Sequence, residues 1–220
     1  MKSPPALSAP IERPSNALVD TIVRGLAQRG HVICDQAIGA DLLGALLQRV
    51  EGLPQDAFHA AGVGRAQAHT VLSQYRSDRI RWLQTEDPVE ARWLAWAEAL
   101  RSDLNQQLFM GLASYEAHFA HYAPGQFYKR HVDAFRGQAN RVLSTVLYLN
   151  AQWSSDDGGE LMLYPSGGIE GAPLSIAVTP AAGRLVVFLS EDLPHEVLSA
   201  QRDRYSIAGW YRVNADPFRA

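Results

Sequence analysis

Apolar residues recur every third or fourth position through the first half of the chain, and every second position through much of the second half. The first pattern predicts amphipathic helices. One covers 17–29 and ends at Gly30. A second covers 39–50, with Leu42, Leu43, Leu46, Leu47 and Val50 on one side. A third starts after Asp87, a fitting N-cap residue, with Pro88 at the first helical position and Glu90 completing a capping box. Trp93, Ala97, Leu100, Leu104 and Leu108 then share one face. Between the second and third helices, residues 60–79 are polar, contain Gly and Ala, and show no period. A connection this long predicts a functional or mobile loop.

Beyond Tyr115 the texture becomes short β-branched and aromatic runs, at 115–122, 142–149, 160–164, 174–179, 184–189, 196–199 and 205–213. Turn signals separate them at Ala123-Pro124-Gly125, Asp156 to Gly159, Ser166 to Gly168, Pro180 to Gly183 and Asp192 to Pro194. Many short, punctuated strands predict a sandwich or barrel. The expected fold is therefore mainly β, a barrel or jelly roll buttressed by N-terminal helices. Residues 17–220 are expected to form one domain, with helical support at 17–110 and a β core at 115–213. Residues 1–16, with four prolines and no signal-type apolar run, read as a disordered lead-in.

Composition narrows the class. The 220 residues are 47% hydrophobic and 20% charged, with a formal charge of −3, so neither nucleic acid nor a membrane is the expected partner. No stretch approaches the length of a membrane span. The one cysteine, Cys34, permits no internal disulfide, which suits a reducing cytoplasm; it lies in the apolar run His31 to Cys34 and reads as a buried structural thiol.

The candidate chemistry starts at His131-Val132-Asp133. In an extended segment, residues two apart point the same way, so His131 and Asp133 converge on one point. One more imidazole would complete a facial set of two His and one carboxylate, which leaves adjacent positions open on Fe(II). His195, in Pro194-His195-Glu196-Val197, starts a predicted strand 64 residues later and is the candidate. Nine residues further on is Arg204, in a half-buried strand, with Ser206 and Trp210 at the same parity. A buried guanidinium needs an anion: a dicarboxylate held in a bidentate fork, to which Ser206 would add a hydroxyl, or a core Asp or Glu. Of the other histidines, His31, His59, His69, His118 and His121 read as structural or exposed, with His121 nearest the candidate site.

The run from Tyr122 to Asp133, then Tyr148-Leu149-Asn150, Gly158-Gly159-Glu160-Leu161, Pro194 to Val197 and Arg204-Tyr205-Ser206, resembles the 2-oxoglutarate-dependent prolyl 4-hydroxylases. The branch is that of the oxygen-sensing animal enzymes and their bacterial counterparts. The resemblance runs in order over about 115–212 and weakly back to Arg76. It implies a double-stranded β-helix. It implies Fe(II) on His131, Asp133 and His195, with 2-oxoglutarate and O2 as co-substrates and ascorbate as reductant. Arg204 and Tyr148 would then bind the distal carboxylate, Tyr122 would reach the metal-proximal end of that pocket, and Leu161 and Trp210 would be its walls. Arg76, Asp78 and Arg141 would belong to a substrate-closing loop, with Asp78 pairing with Arg141 when the loop shuts. The implied reaction hydroxylates C4 of a prolyl residue in a protein, releasing succinate and CO2. For a bacterial member elongation factor Tu is a candidate. Hydroxylation of a free amino acid or small molecule, a silent metal-binding barrel, and a cupin-like enzyme remain alternatives. The continuation Tyr205-Ser206-Ile207-Ala208 after Arg204 departs from the animal enzymes and leaves the protein substrate open.

Overall fold

The computed structural model describes residues 12–61, 74–134, 140–165 and 174–214. Three helices come first: α1 (Asn16–Arg29), α2 (Ala40–Glu51) and α3 (Pro88–Leu108). Ser15 caps α1 by accepting from the Leu18 amide, and Gly30 ends it at a φ of 71°. This is the left-handed turn glycine takes without strain. Asp87 caps α3 through the amides of Val89 and Glu90. The predicted capping box is not completed. Glu90 is fully buried and turns inward, accepting from Arg81 (2.6 Å), Arg49 (3.0 Å) and the Gln84 amide (2.7 Å). A carboxylate taken from water is held by as many donors as it can gather.

Eleven strands are described: β1 (His31–Cys34), β2 (His59–Ala60), β3 (Arg79–Trp82), β4 (Ser114–Tyr122), β5 (Tyr128–His131), β6 (Arg141–Tyr148), β7 (Leu161–Leu163), β8 (Ile176–Val178), β9 (Leu185–Leu189), β10 (His195–Val197) and β11 (Arg204–Arg212). They form two antiparallel sheets. The larger runs β1-β9-β6-β11-β4-β3-β2 and the smaller β5-β10-β7-β8. Two facing sheets whose strands alternate along the chain make a double-stranded β-helix, a jelly roll.

The alternation within each strand assigns its faces. On β11, Ile207 and Tyr211 join the core beneath the helices, and the Tyr211 hydroxyl reaches the Ala97 carbonyl of α3 at 2.8 Å. Arg204, Ser206 and Trp210 face between the sheets. Helix α1 lies so close to β1 that a Cβ on Gly25 would sit 2.6 Å from that of Val32. Burial pushes the Cys34 thiol up to about 11, as expected of a structural cysteine.

Strand β1 is absent from the predicted strands, where its four residues read only as an apolar run. The predicted loop at 60–79 is bounded by strands: β2 and β3 pair with each other, and β3 extends the large sheet beside β4. Residues 62–73, His69 among them, lie outside the described residues, as do the turn at 166–168 and most of the lead-in at 1–16. Among the described residues no helix is long and apolar enough to cross a membrane.

Candidate active site

Between the sheets lies a cavity of about 1270 Å³. His131 ends β5 and His195 begins β10. These strands are neighbours, and the two residues are register partners. Asp133 lies just beyond β5, held by the Ser144 hydroxyl of β6 at 2.6 Å. One ligand atom from each of His131, Asp133 and His195 lies within 4.8 Å of the others, a group able to hold a metal ion. The imidazole contacts agree with that role. His131 Nδ1 meets the Lys129 carbonyl at 2.8 Å and His195 Nδ1 meets that of Leu193 at 3.0 Å. A nitrogen facing a carbonyl must carry a proton, so in the neutral ring it is Nε2 that keeps the lone pair a metal needs. Those Nε2 atoms stand 3.6 and 3.7 Å from the two Asp133 oxygens.

Electrostatics keep the set ready for a cation. Burial raises the Asp133 carboxyl, but His195, His131 and the Ser144 hydrogen bond outweigh it and hold the group well below the usual carboxylate range. Burial lowers His195 to about 4 despite Asp133, so its ring is neutral near pH 7. Tyr128 stacks on His131, with centroids 3.5 Å apart and planes 14° from parallel. Arg76 lies 4.5 Å over the other ring, Tyr128, and is itself pinned by Asp78 at 2.6 and 2.8 Å.

Further along the cavity is Arg204, 1% exposed. Its Nε donates to the Gly159 carbonyl at 2.9 Å, and its guanidinium lies 4.9 and 5.1 Å from the rings of Tyr122 and Tyr148. It has no carboxylate partner among the described residues, so a core Asp or Glu is not what balances it. Among the described residues the Tyr148 hydroxyl, also buried, has no hydrogen-bond partner. Burial pushes this phenol up to about 12, so it stays a donor. Gly159 has a φ of 70°, and a Cβ there would fall 3.2 Å from Arg204 Cδ and 2.9 Å from Ala200 Cβ. Ser206 and Trp210 line the same cavity, as their parity with Arg204 predicts, and so do Leu161 and Tyr122.

One expectation is corrected, and one pairing, expected on closure of the loop, is not made in this structure. Asp78 does not pair with Arg141 here. It is 1% exposed and bound by Arg76, whereas Arg141 donates twice to Glu116, at 3.0 and 2.8 Å. Arg76 is two residues away and pre-placed by backbone pairing of 75–77 with the β5 region, so it outcompetes a guanidinium on another strand. His121 is not the histidine nearest the site. It stacks on Tyr205 and reaches Asp203 at 2.6 Å, on the opposite face of β4. The cavity face of β4 carries Glu116, His118, Ala120 and Tyr122. Counting in twos from Tyr122 would have found Glu116 and His118, and the sequence reading missed both.

Residues 117–212 match the 2OG-Fe(II) oxygenase superfamily. A solved Pseudomonas putida prolyl-4-hydroxylase is 37% identical and superposes with a TM-score of 0.78, over 90% of this chain and 100% of that one. This chain belongs to the 2OG-Fe(II) oxygenase superfamily. Its resemblance within that superfamily is to prolyl hydroxylases. A Trichoplax adhaerens prolyl hydroxylase, solved with a hypoxia inducible factor oxygen degradation domain peptide fragment, is 29% identical, has a TM-score of 0.78, and is covered over 89% of each chain. Among curated proteins, the hypoxia-inducible factor prolyl hydroxylase of Caenorhabditis elegans is 26% identical over 92% of this chain, and human Egl nine homolog 1 is 27% identical over 88%. The chain spans 29% and 46% of the lengths of those two relatives.

Proposed function

We propose that this oxygenase hydroxylates C4 of a prolyl residue in a protein, with elongation factor Tu of a bacterium as the candidate substrate. The observation that carries the co-substrate assignment is Arg204. A fully buried guanidinium with no carboxylate partner, beside an orphaned Tyr148 hydroxyl and on the same cavity as the His131, Asp133 and His195 set, fits an incoming dicarboxylate. His131, Asp133 and His195 would hold iron, and Arg204, Tyr148 and Ser206 the far carboxylate of 2-oxoglutarate. Bound Fe(II) with 2-oxoglutarate and O2 would supply the C–H oxidation, with succinate and CO2 as the expected co-products.

The chain's own groups do the rest. Ser144 orients Asp133, the Lys129 and Leu193 carbonyls fix both imidazoles, and Tyr128 packs one ring in place. Tyr122 and Tyr148 wall Arg204 from water, which strengthens its hold on an anion. Arg76 and Asp78 lock the chain leading into β3 against β5 at the mouth, and Arg141 on β6 lies 3.7 Å over Trp210. A mouth bordered by sequence-distant strands suits a polypeptide. A buried Cys34 and the implied ascorbate both accord with a reducing cytoplasm.

The test is incubation of the iron-loaded protein with 2-oxoglutarate, ascorbate, O2 and purified elongation factor Tu, followed by peptide mass spectrometry. One added oxygen on a prolyl peptide, matched by succinate, is the expected result. Turnover of free proline with no modified protein would overturn the polypeptide reading.

A further inference from the structure

The cavity end away from Arg204 carries an uneven distribution of charge. At the β5 wall Asp78 cancels Arg76. At the mouth, one carboxylate serves two guanidiniums: Glu116 Oε1 accepts from Arg141 at 3.0 and 2.8 Å, and its Oε2 accepts from Arg212 at 2.8 Å. The three residues meet because β11 lies between β4 and β6, and Arg212 is the register partner of both Ser114 and Arg141. Glu116 also fixes Arg141 over Trp210, 3.7 Å from the ring. Two neighbouring donors remain unused among the described residues: Arg212 Nε and Trp210 Nε1 make no hydrogen bond there, and Trp210 is only 7% exposed. On the smaller sheet, Arg130 lines the same mouth from over the Tyr164 ring, at 3.9 Å. It makes no ion pair among the described residues, and the nearby Glu196 is taken by the Tyr164 hydroxyl.

The mouth is therefore rich in donors and positive charge in a chain whose formal charge is −3. A local field of one sign at a cleft entrance selects partners of the other sign. Building on the prolyl-hydroxylase reading, we infer that the Glu116–Arg141–Arg212 cluster is an anion-accepting subsite for an acidic side chain of the substrate polypeptide near its target residue. Glu116 is the positioning residue that splits the two arginines and leaves them one charge short of neutral. A second carboxylate between Arg141 and Arg212 completes that balance.

The probe is a set of labelled synthetic peptides with one central proline in an alanine–glycine background, carrying two Glu, two Gln or two Lys beside it. Binding is read by fluorescence anisotropy on the full chain loaded with Mn(II) and 2-oxoglutarate, at low and high salt. The Glu peptide is expected to bind about fivefold to tenfold more tightly than the Gln peptide, with the gap shrinking as salt rises. Arg212→Gln should narrow the gap. Glu116→Gln, which keeps a hydrogen-bonding group and removes the negative charge, should widen it, whereas a merely structural Glu116 would leave all peptides weakened alike. Equal binding of Glu and Gln peptides, preference for Lys, or no measurable binding of any peptide would overturn the inference. Hydroxylation is scored separately by mass. A charge preference in binding with no oxygen added to proline would refute the prolyl-hydroxylase reading and leave the subsite standing.

Discussion

Replacing Arg204 with Met should move two quantities in opposite directions. The Arg204 guanidinium is buried beside two aromatic rings with one backbone acceptor and no carboxylate. Desolvation of such a group costs several kcal/mol, partly offset by two cation–π contacts and one hydrogen bond worth about 1–2 kcal/mol each. An apolar side chain of similar length removes the cost and keeps most of the packing. Without co-substrate, Arg204→Met should therefore be as stable as the wild type or more stable, by up to about 3 kcal/mol. Its affinity for 2-oxoglutarate should fall sharply. Two charge-assisted hydrogen bonds at about 1.5–3 kcal/mol each correspond to a loss of about 10²- to 10⁴-fold. Isothermal titration of the Mn(II)-loaded protein reads the affinity, and urea unfolding of the metal-free protein reads the stability. The wild type should gain about 2.7 kcal/mol at a hundredfold excess of 2-oxoglutarate over its Kd, and the variant almost nothing. A variant that binds within threefold of the wild type would refute the role given to Arg204.

Tyr148→Phe deletes the orphaned hydroxyl, so it should not destabilise the free protein, yet it should weaken 2-oxoglutarate about fivefold to tenfold by titration. Gly159→Ala brings a methyl against Arg204 Cδ at a φ of 70°; 2-oxoglutarate affinity should drop while Mn(II) binding, read by electron paramagnetic resonance, is retained. His118 is buried on the cavity wall, and burial first, then Arg76, lowers it to about 4. Its folded pKa lies below the unfolded value near 6.5, so the unfolded state takes the proton first. Stability is fully present above pH 6.5 and is lost as pH falls toward 4, on the order of 3 kcal/mol across that window. Urea unfolding at pH 7, 5.5 and 4.5 should show a flatter slope for His118→Gln, and equal slopes would contradict the assignment.

Much of the fold was legible because its two periods are clean. The α3 N-cap at Asp87 and the alternation of Arg204, Ser206 and Trp210 follow from local geometry, which a single sequence carries. The convergence of His131, Asp133 and His195 was legible as well, since short spacing in an extended segment fixes two of them and the third opens a predicted strand. Pairings decided by competition between distant side chains were not legible. Glu90 had a local capping role open to it and took three buried donors instead. Asp78 took the arginine that backbone pairing had already placed. Strands β1, β2 and β3 are two to four residues long, too short for a period to show, and they are defined by their pairing: β1 with β9, β3 with β4, and β2 with β3.

The central claim is that one cavity holds iron on His131, Asp133 and His195 and 2-oxoglutarate on Arg204. Its most direct test is the visible spectrum of the protein with Fe(II) and 2-oxoglutarate under strict exclusion of oxygen. The account predicts a weak metal-to-ligand charge-transfer band that His195→Ala abolishes and Arg204→Met shifts to far higher 2-oxoglutarate concentration. Bound iron with no such band at any 2-oxoglutarate concentration would contradict it.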